Sequence, residues 1–91
     1  MLYVVAYDMP DTKRRTRLMK ALKGFGIHTQ FSVFECDLDD HEYERMMAAI
    51  NIIIKPAEDA VKVYGLCARC IRGVDVIGRG VLAIEPDCII V

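Results

Sequence analysis

The longest uninterrupted apolar stretches of this 91-residue chain run only a handful of residues. A membrane-spanning helix needs about 20, so no such span is expected. No GxGxxG or Walker loop occurs, which excludes the common glycine-rich phosphate cradles. No nucleophilic triad stands out, and there are no internal repeats or low-complexity segments. No basic leader precedes the first apolar run. Met1 passes directly into Leu2-Tyr3-Val4-Val5-Ala6-Tyr7, which reads as a strand rather than a signal peptide. Net charge is nearly absent as well, at −1, while 54% of the residues are hydrophobic, which excludes a disordered chain. The expectation is one cytoplasmic domain covering residues 1–91.

What is present exceeds what so small a domain can hide. Surface scaling gives ~5,300 Å² for the folded monomer against ~15,000 Å² for the unfolded chain, so about two-thirds is buried. The surplus of apolar residues points to a homodimer. Four cysteines without a secretory signal read as reduced thiols. Cys67-Ala-Arg-Cys70 has the spacing of half a zinc site, but no second pair follows, and a packing role is favoured.

Leu2 to Tyr7 has the pattern of a central strand buried on both faces. Met9-Pro10-Asp11 is a turn, with Asp11 or Thr12 as the cap of a helix over 12–25, stopped by Gly24 and Gly26. His28 to Cys36 reads as strand, with a bend near Gln30–Ser32 able to divide it in two. Asp39 to Glu42 resembles a capping box, opening a second helix that runs to about Ile54 before Pro56. Val61 to Leu66 is a further strand, and apolar pieces ending in Cys88-Ile-Ile-Val91 suggest a C-terminal strand arm that pairs with a second subunit. The order βαββαβ plus this arm predicts an α+β sandwich of ferredoxin-like type.

Charge is segregated although it nearly cancels. Lys13, Arg14, Arg15, Arg17, Lys20 and Lys23 share one segment without an acid, while Glu35, Asp37, Asp39, Asp40, Glu42 and Glu44 share another without Lys or Arg. Cations in the first turn of a helix oppose its dipole, at a few tenths of a kcal/mol each, unless an anion offsets them. Arg14, Arg15 and Arg17 beside free helix N–H groups form a phosphate-binding pattern. Asp8 ends the apolar strand just before this helix, where one carboxylate is enough to help hold Mg²⁺. The competing reading makes it a turn cap or a partner of Arg15. Phe31 and Phe34, with Tyr3 and Tyr7, offer rings for base stacking, although packing is the commoner duty of such residues.

Taken together, Tyr3-Val-Val-Ala-Tyr-Asp8, Lys13-Arg-Arg-Thr-Arg17, Gln30-Phe-Ser-Val-Phe-Glu-Cys-Asp-Leu-Asp39, Cys67-Ala-Arg-Cys70 and Val76-Ile-Gly-Arg-Gly80 resemble the small CRISPR-associated endonuclease family, the second of the Cas series. The resemblance spans essentially the whole chain. It implies a ferredoxin-like homodimer whose C-terminal strands add to the partner's sheet. It also implies metal-dependent cleavage of RNA or DNA and a role in spacer acquisition beside the CRISPR adaptation integrase. Carried over by position, the strand-end aspartate is Asp8, the helix arginines are Arg15 and Arg17, and the aromatic is Phe34. Where some members have an arginine for nucleic acid, this chain has His28. One expectation is an endonuclease in which two Asp8 side chains share one Mg²⁺ across the dimer axis. A second is a non-catalytic scaffold that binds DNA and bridges integrase subunits. A related RNA-cleaving toxin is a third.

Overall fold

Strand β1 (Leu2–Asp8) is the spine of the sheet, hydrogen-bonded on both sides. A computed structural model describes residues 1–67. Along it follow helix α1 (Thr12–Leu22), strands β2 (Ile27–Gln30) and β3 (Val33–Asp37), helix α2 (Asp40–Ile53) and strand β4 (Ala60–Leu66). The four strands lie in the order β2-β3-β1-β4, and every neighbouring pair is antiparallel. This is the expected ferredoxin-like arrangement. The C-terminal strand arm falls outside the described residues. Among the described residues no helix is long and apolar enough to cross a membrane.

Alternation along β1 directs Tyr3, Val5 and Tyr7 toward the helices, while Leu2, also fully buried, lies on the opposite side. Leu18 and Leu22 of α1 and Met46 and Ile50 of α2 close the core against Val5 and Phe34, each no more than 2% exposed. Truncating any one of these to Ala costs about 2–5 kcal/mol. The Tyr3 ring stacks on Tyr43 of α2 at 4.5 Å between centroids. Helix α1 is a turn shorter than its apolar spacing suggests: it stops at Leu22, and Lys23–Phe25 form a turn. Gly26 is required for close approach rather than for ending the helix. A Cβ there would fall 2.5 Å from Cys36 Sγ and nearer still to the Glu35 carbonyl oxygen.

The register decides which loops meet. Asp8 pairs with Ala60, Ala6 pairs with Val33, and the Tyr7 N–H donates to the Ser32 carbonyl at 3.0 Å. The end of β1, the start of α1, the β2–β3 turn and the α2–β4 loop therefore share one end of the sheet. The start of α2 lies at the other end with Met1, whose ammonium donates to the Leu38 carbonyl and pairs with Asp37.

Candidate nucleic-acid interface and metal-binding carboxylate

Asp8 is exposed where β1 leaves the sheet, and its carboxylate has no hydrogen-bond or ion-pair partner among the described residues. It neither caps the turn nor pairs with Arg15. The cap is Asp11, whose carboxylate accepts the Arg14 backbone N–H at 2.9 Å. That bond holds the Asp11 carboxyl below its ordinary range, with the Arg14 and Lys13 charges assisting.

The three arginines grouped by the sequence pattern have three different fates. Arg14, expected on nucleic acid, turns inward to the α2–β4 loop. Its Nε and Nη2 donate to the two oxygens of Asp59 at 3.0 and 3.1 Å, and Nη2 also reaches Glu58 at 3.1 Å. The Asp59 side chain is fully enclosed and also accepts the Lys55 backbone N–H at 2.8 Å. The Arg14 hydrogen bond is the main reason its carboxyl sits below the usual range. Arg14 thus has little capacity left for a phosphate. Arg15 lies on the same helix side as Leu18 and Leu22, one turn beyond the core. Its guanidinium donates to the Met9 carbonyl at 3.0 Å and to Thr12 Oγ1 at 3.3 Å while remaining exposed. Arg17 is exposed, with no ion-pair partner among the described residues. With Lys13 and Lys20 it recurs at i, i+4 and i+7, so these three cations form one solvent-facing stripe. The helical spacing already contained this stripe. Grouping the charges by segment hides it, whereas grouping them by helix face shows it.

Phe34 does not belong to an interface. Its register partner Val5 faces the helices, so Phe34 faces them too, with no exposed surface. Phe31, in the two-residue connection between β2 and β3, is the most exposed aromatic among the described residues, at 89%. Its φ of 27° is in the left-handed region, which costs a bulky residue on the order of 1–3 kcal/mol. This turn breaks the alternation that would have put Phe31 on a sheet face, and β2 carries a register shift between His28 and Gln30. His28 is exposed at its edge but stacks flat on Phe34 at 4.7 Å, and its Nε2 meets the Phe31 carbonyl. Its ring supports the turn. Between α1 and the turn opens a cleft of about 340 Å³, lined by Tyr7, Arg15, Thr16, Met19, Phe31 and Ser32. Burial raises the Tyr7 phenol's pKa, and the nearby Arg15 charge partly opposes this.

Among the described residues no three His, Cys, Asp or Glu side chains gather as a metal cage. Asp8 still fits Mg²⁺ as one ligand of a mostly hydrated ion, which needs only one or two carboxylates. Cys36 is not a candidate nucleophile. Burial, aided by Glu35, pushes its thiol up to about 11, and it packs in the core. The Cys67–Cys70 pair extends beyond the described residues.

Comparison with known proteins agrees with this geometry. The family described as CRISPR associated protein Cas2 matches residues 1–74. CRISPR-associated endoribonuclease Cas2 3 of Synechocystis is 36% identical over 90 residues, spanning 99% of this chain and 98% of that protein. CRISPR-associated endonuclease Cas2 2 of Thermus thermophilus is 38% identical, over 89% of this chain and 86% of its own. The crystal structure of Streptococcus pyogenes Cas2 superposes with a TM-score of 0.74 at 28% identity, covering 86% of this chain and all of that one. That of a hypothetical Thermus thermophilus protein reaches 0.77 at 39% identity, covering 89% and 94%. A ferredoxin-like sheet, a strand-end aspartate and a basic helix thus coincide with a sequence match over most of the chain, which belongs to the Cas2 family of CRISPR-associated proteins.

Proposed function

We propose that this chain is a Cas2 nuclease that hydrolyses phosphodiester bonds as a homodimer. The observation that carries this reading is Asp8, an exposed carboxylate without a partner among the described residues, at the sheet end where the basic helix begins. The names of the two relatives above, an endoribonuclease and an endonuclease, support RNA as substrate and keep DNA in view.

Asp8 from each of two protomers would hold a divalent cation, Mg²⁺ being the natural choice for carboxylate and water ligands. Such a cation lowers the pKa of bound water and neutralises charge on the phosphoryl oxygens. The chain's own task is to position the substrate. Arg15 and Arg17 hold phosphates, while Arg14 keeps the helix start in place by binding Asp59. Exchange of a second carboxylate across a two-fold axis supplies what one chain lacks among its described residues.

That shortage favours a second reading, in which the dimer is a DNA-binding scaffold for the adaptation integrase and Asp8 is not used. A nuclease assay on single- and double-stranded RNA and DNA, with and without Mg²⁺, separates the two. The enzymatic reading expects Mg²⁺-dependent cleavage that Asp8→Asn abolishes. Cleavage by no substrate, with integrase-dependent spacer acquisition intact, selects the scaffold.

A further inference from the structure

Asp8 is backed by the sheet on one side only. The β1–β3 register ends at Ala6 and Val33, while on the other side Asp8 still pairs with Ala60, the first residue of β4. Terminal rungs of a sheet open most readily, at almost no cost where nothing else holds them. The place of the Asp8 carboxylate therefore depends on what holds Ala60.

The residue before Ala60 is Asp59, and the chain fixes it twice. Its backbone N–H donates to the Lys55 carbonyl and its carboxylate accepts the Lys55 N–H, both at 2.8 Å, so residues 55–59 close on themselves. Arg14 fastens this turn to α1 through bonds of 3.0 and 3.1 Å to the two Asp59 oxygens. The same guanidinium lies 3.6 Å from the Asp11 carboxylate, in the turn that follows Asp8. One side chain thus ties together the segments on both flanks of Asp8. The Asp59 side chain has no exposed surface, and that of Arg14 is 15% exposed. An enclosed ion pair is a weak source of stability, because lost hydration offsets the attraction, but a two-pronged guanidinium–carboxylate pair fixes distance and angle.

We infer that Arg14 and Asp59 are a positioning pair for Asp8: they hold Ala60, and through the last rung of the sheet they hold the carboxylate where a divalent cation meets it. The inference rests on the metal reading above and adds two residues that touch neither the cation nor the substrate. Mg²⁺ tolerates little departure from octahedral geometry, so a fraying strand end would bind it poorly.

The test compares Asp59→Asn, and Arg14→Met combined with Asp59→Asn, with the unmodified full chain. Asparagine still accepts the Lys55 N–H, and in the double variant no buried charge is stranded. Asp39→Ala, which loses a helix cap at the far end of the sheet, controls for destabilisation alone. Mn²⁺ added alone, followed by electron paramagnetic resonance, should bind the unmodified protein and Asp39→Ala equally. Both pair variants should bind it about tenfold more weakly, the low end for loss of a group that orients a metal ligand. The double variant should lose no more than the single, since either change breaks the same pair. Amide hydrogen exchange should quicken at the Asp8–Ala60 end in both and stay unchanged at the start of α2. Unchanged Mn²⁺ affinity in the pair variants, or an equal loss in Asp39→Ala, would overturn the positioning role while leaving Asp8 as the metal ligand. Asp8→Asn binding Mn²⁺ as well as the unmodified protein would overturn the metal reading, and the positioning role with it.

Discussion

The two helices begin in opposite ways at opposite ends of the sheet. Helix α2 follows the electrostatic rule: Asp39 and Glu42 close a reciprocal capping box, with bonds of 2.7 and 3.1 Å, and Asp40 adds a second acid to the first turn. Helix α1 has the same kind of cap in Asp11 but no acid in its first turn, where Lys13, Arg14 and Arg15 stand instead. Only part of that excess is neutralised internally, by Asp59 and Glu58 on Arg14. The α2 start is arranged to stabilise the fold, whereas the α1 start retains a cost that a bound anion would relieve. Such local departures from a stabilising pattern concentrate at functional sites.

The largest expected effect separates the carboxylates of the two ends. Asp8→Asn should reduce metal-dependent cleavage at least about 100-fold, since a neutral amide is a poor ligand for a hard cation. The same change should leave stability within about 0.5 kcal/mol, as befits an exposed group without a partner. Single-turnover cleavage and thermal melting on the same preparation check both halves. Undiminished Mg²⁺-dependent cleavage would move the metal away from Asp8.

Next in size is the basic stripe. Replacing Lys13, Arg17 and Lys20 together with Ala should weaken binding at least about tenfold, or ~1.4 kcal/mol. It should also lower the salt slope by about 0.7 per lost phosphate contact on single strands and about 0.9 on duplex DNA. Neutralising the other helix start, with Asp40→Asn and Glu42→Gln, should leave binding unchanged. If both sets alter the salt slope equally, the two ends are not functionally distinct.

Asp39→Ala should do the reverse of Asp8→Asn. Loss of this cap should lower stability by about 1 kcal/mol, with cleavage per folded molecule unaltered. Denaturant titration measures the first and active-site-normalised kinetics the second.

Much of this contrast can be read from residue order alone. Alternation in β1, the Leu18 and Leu22 spacing in α1, and the Asp39–Glu42 box are local signals, and each appears in the fold where its chemistry places it. The position of Asp8, a carboxylate at the end of an apolar strand, is legible for the same reason. The fates of the arginines were not. Whether Arg14 reaches Asp59 depends on the Asp8–Ala60 register, a contact between segments more than forty positions apart. Phe34, expected on nucleic acid, is enclosed against the helices, and Phe31 stands exposed in a turn with a positive φ. Periodicity cannot anticipate a single residue placed in the left-handed region.

The smallest readout is a slope, and it tests whether the α1 start is held by the Arg14–Asp59 pair. The Asp59 carboxyl is lowered from its ordinary 3.8, first by the Arg14 hydrogen bond and then by the Lys55 backbone N–H. Between the lowered folded value and the ordinary unfolded one, the unfolded chain binds more protons, so stability rises with pH across that window. The contribution is complete above the unfolded value and disappears as pH falls through the folded one. Asp59→Asn removes the titration while keeping an acceptor for Arg14. The gap between variant and unmodified protein should be widest near neutrality and close in acid, giving the variant a flatter acid limb. Asp11, lowered by the Arg14 backbone N–H, remains in the variant, so the limb should shrink without vanishing. Glu58→Gln is the control, because its pair with Arg14 is half exposed and such pairs contribute only about 0–1 kcal/mol. Denaturant melts of the three proteins from neutral pH to below 3.8 provide the comparison. Parallel acid limbs in all three would mean that the basic helix start is held by its core contacts at Leu18 and Leu22, with the ion pair contributing nothing.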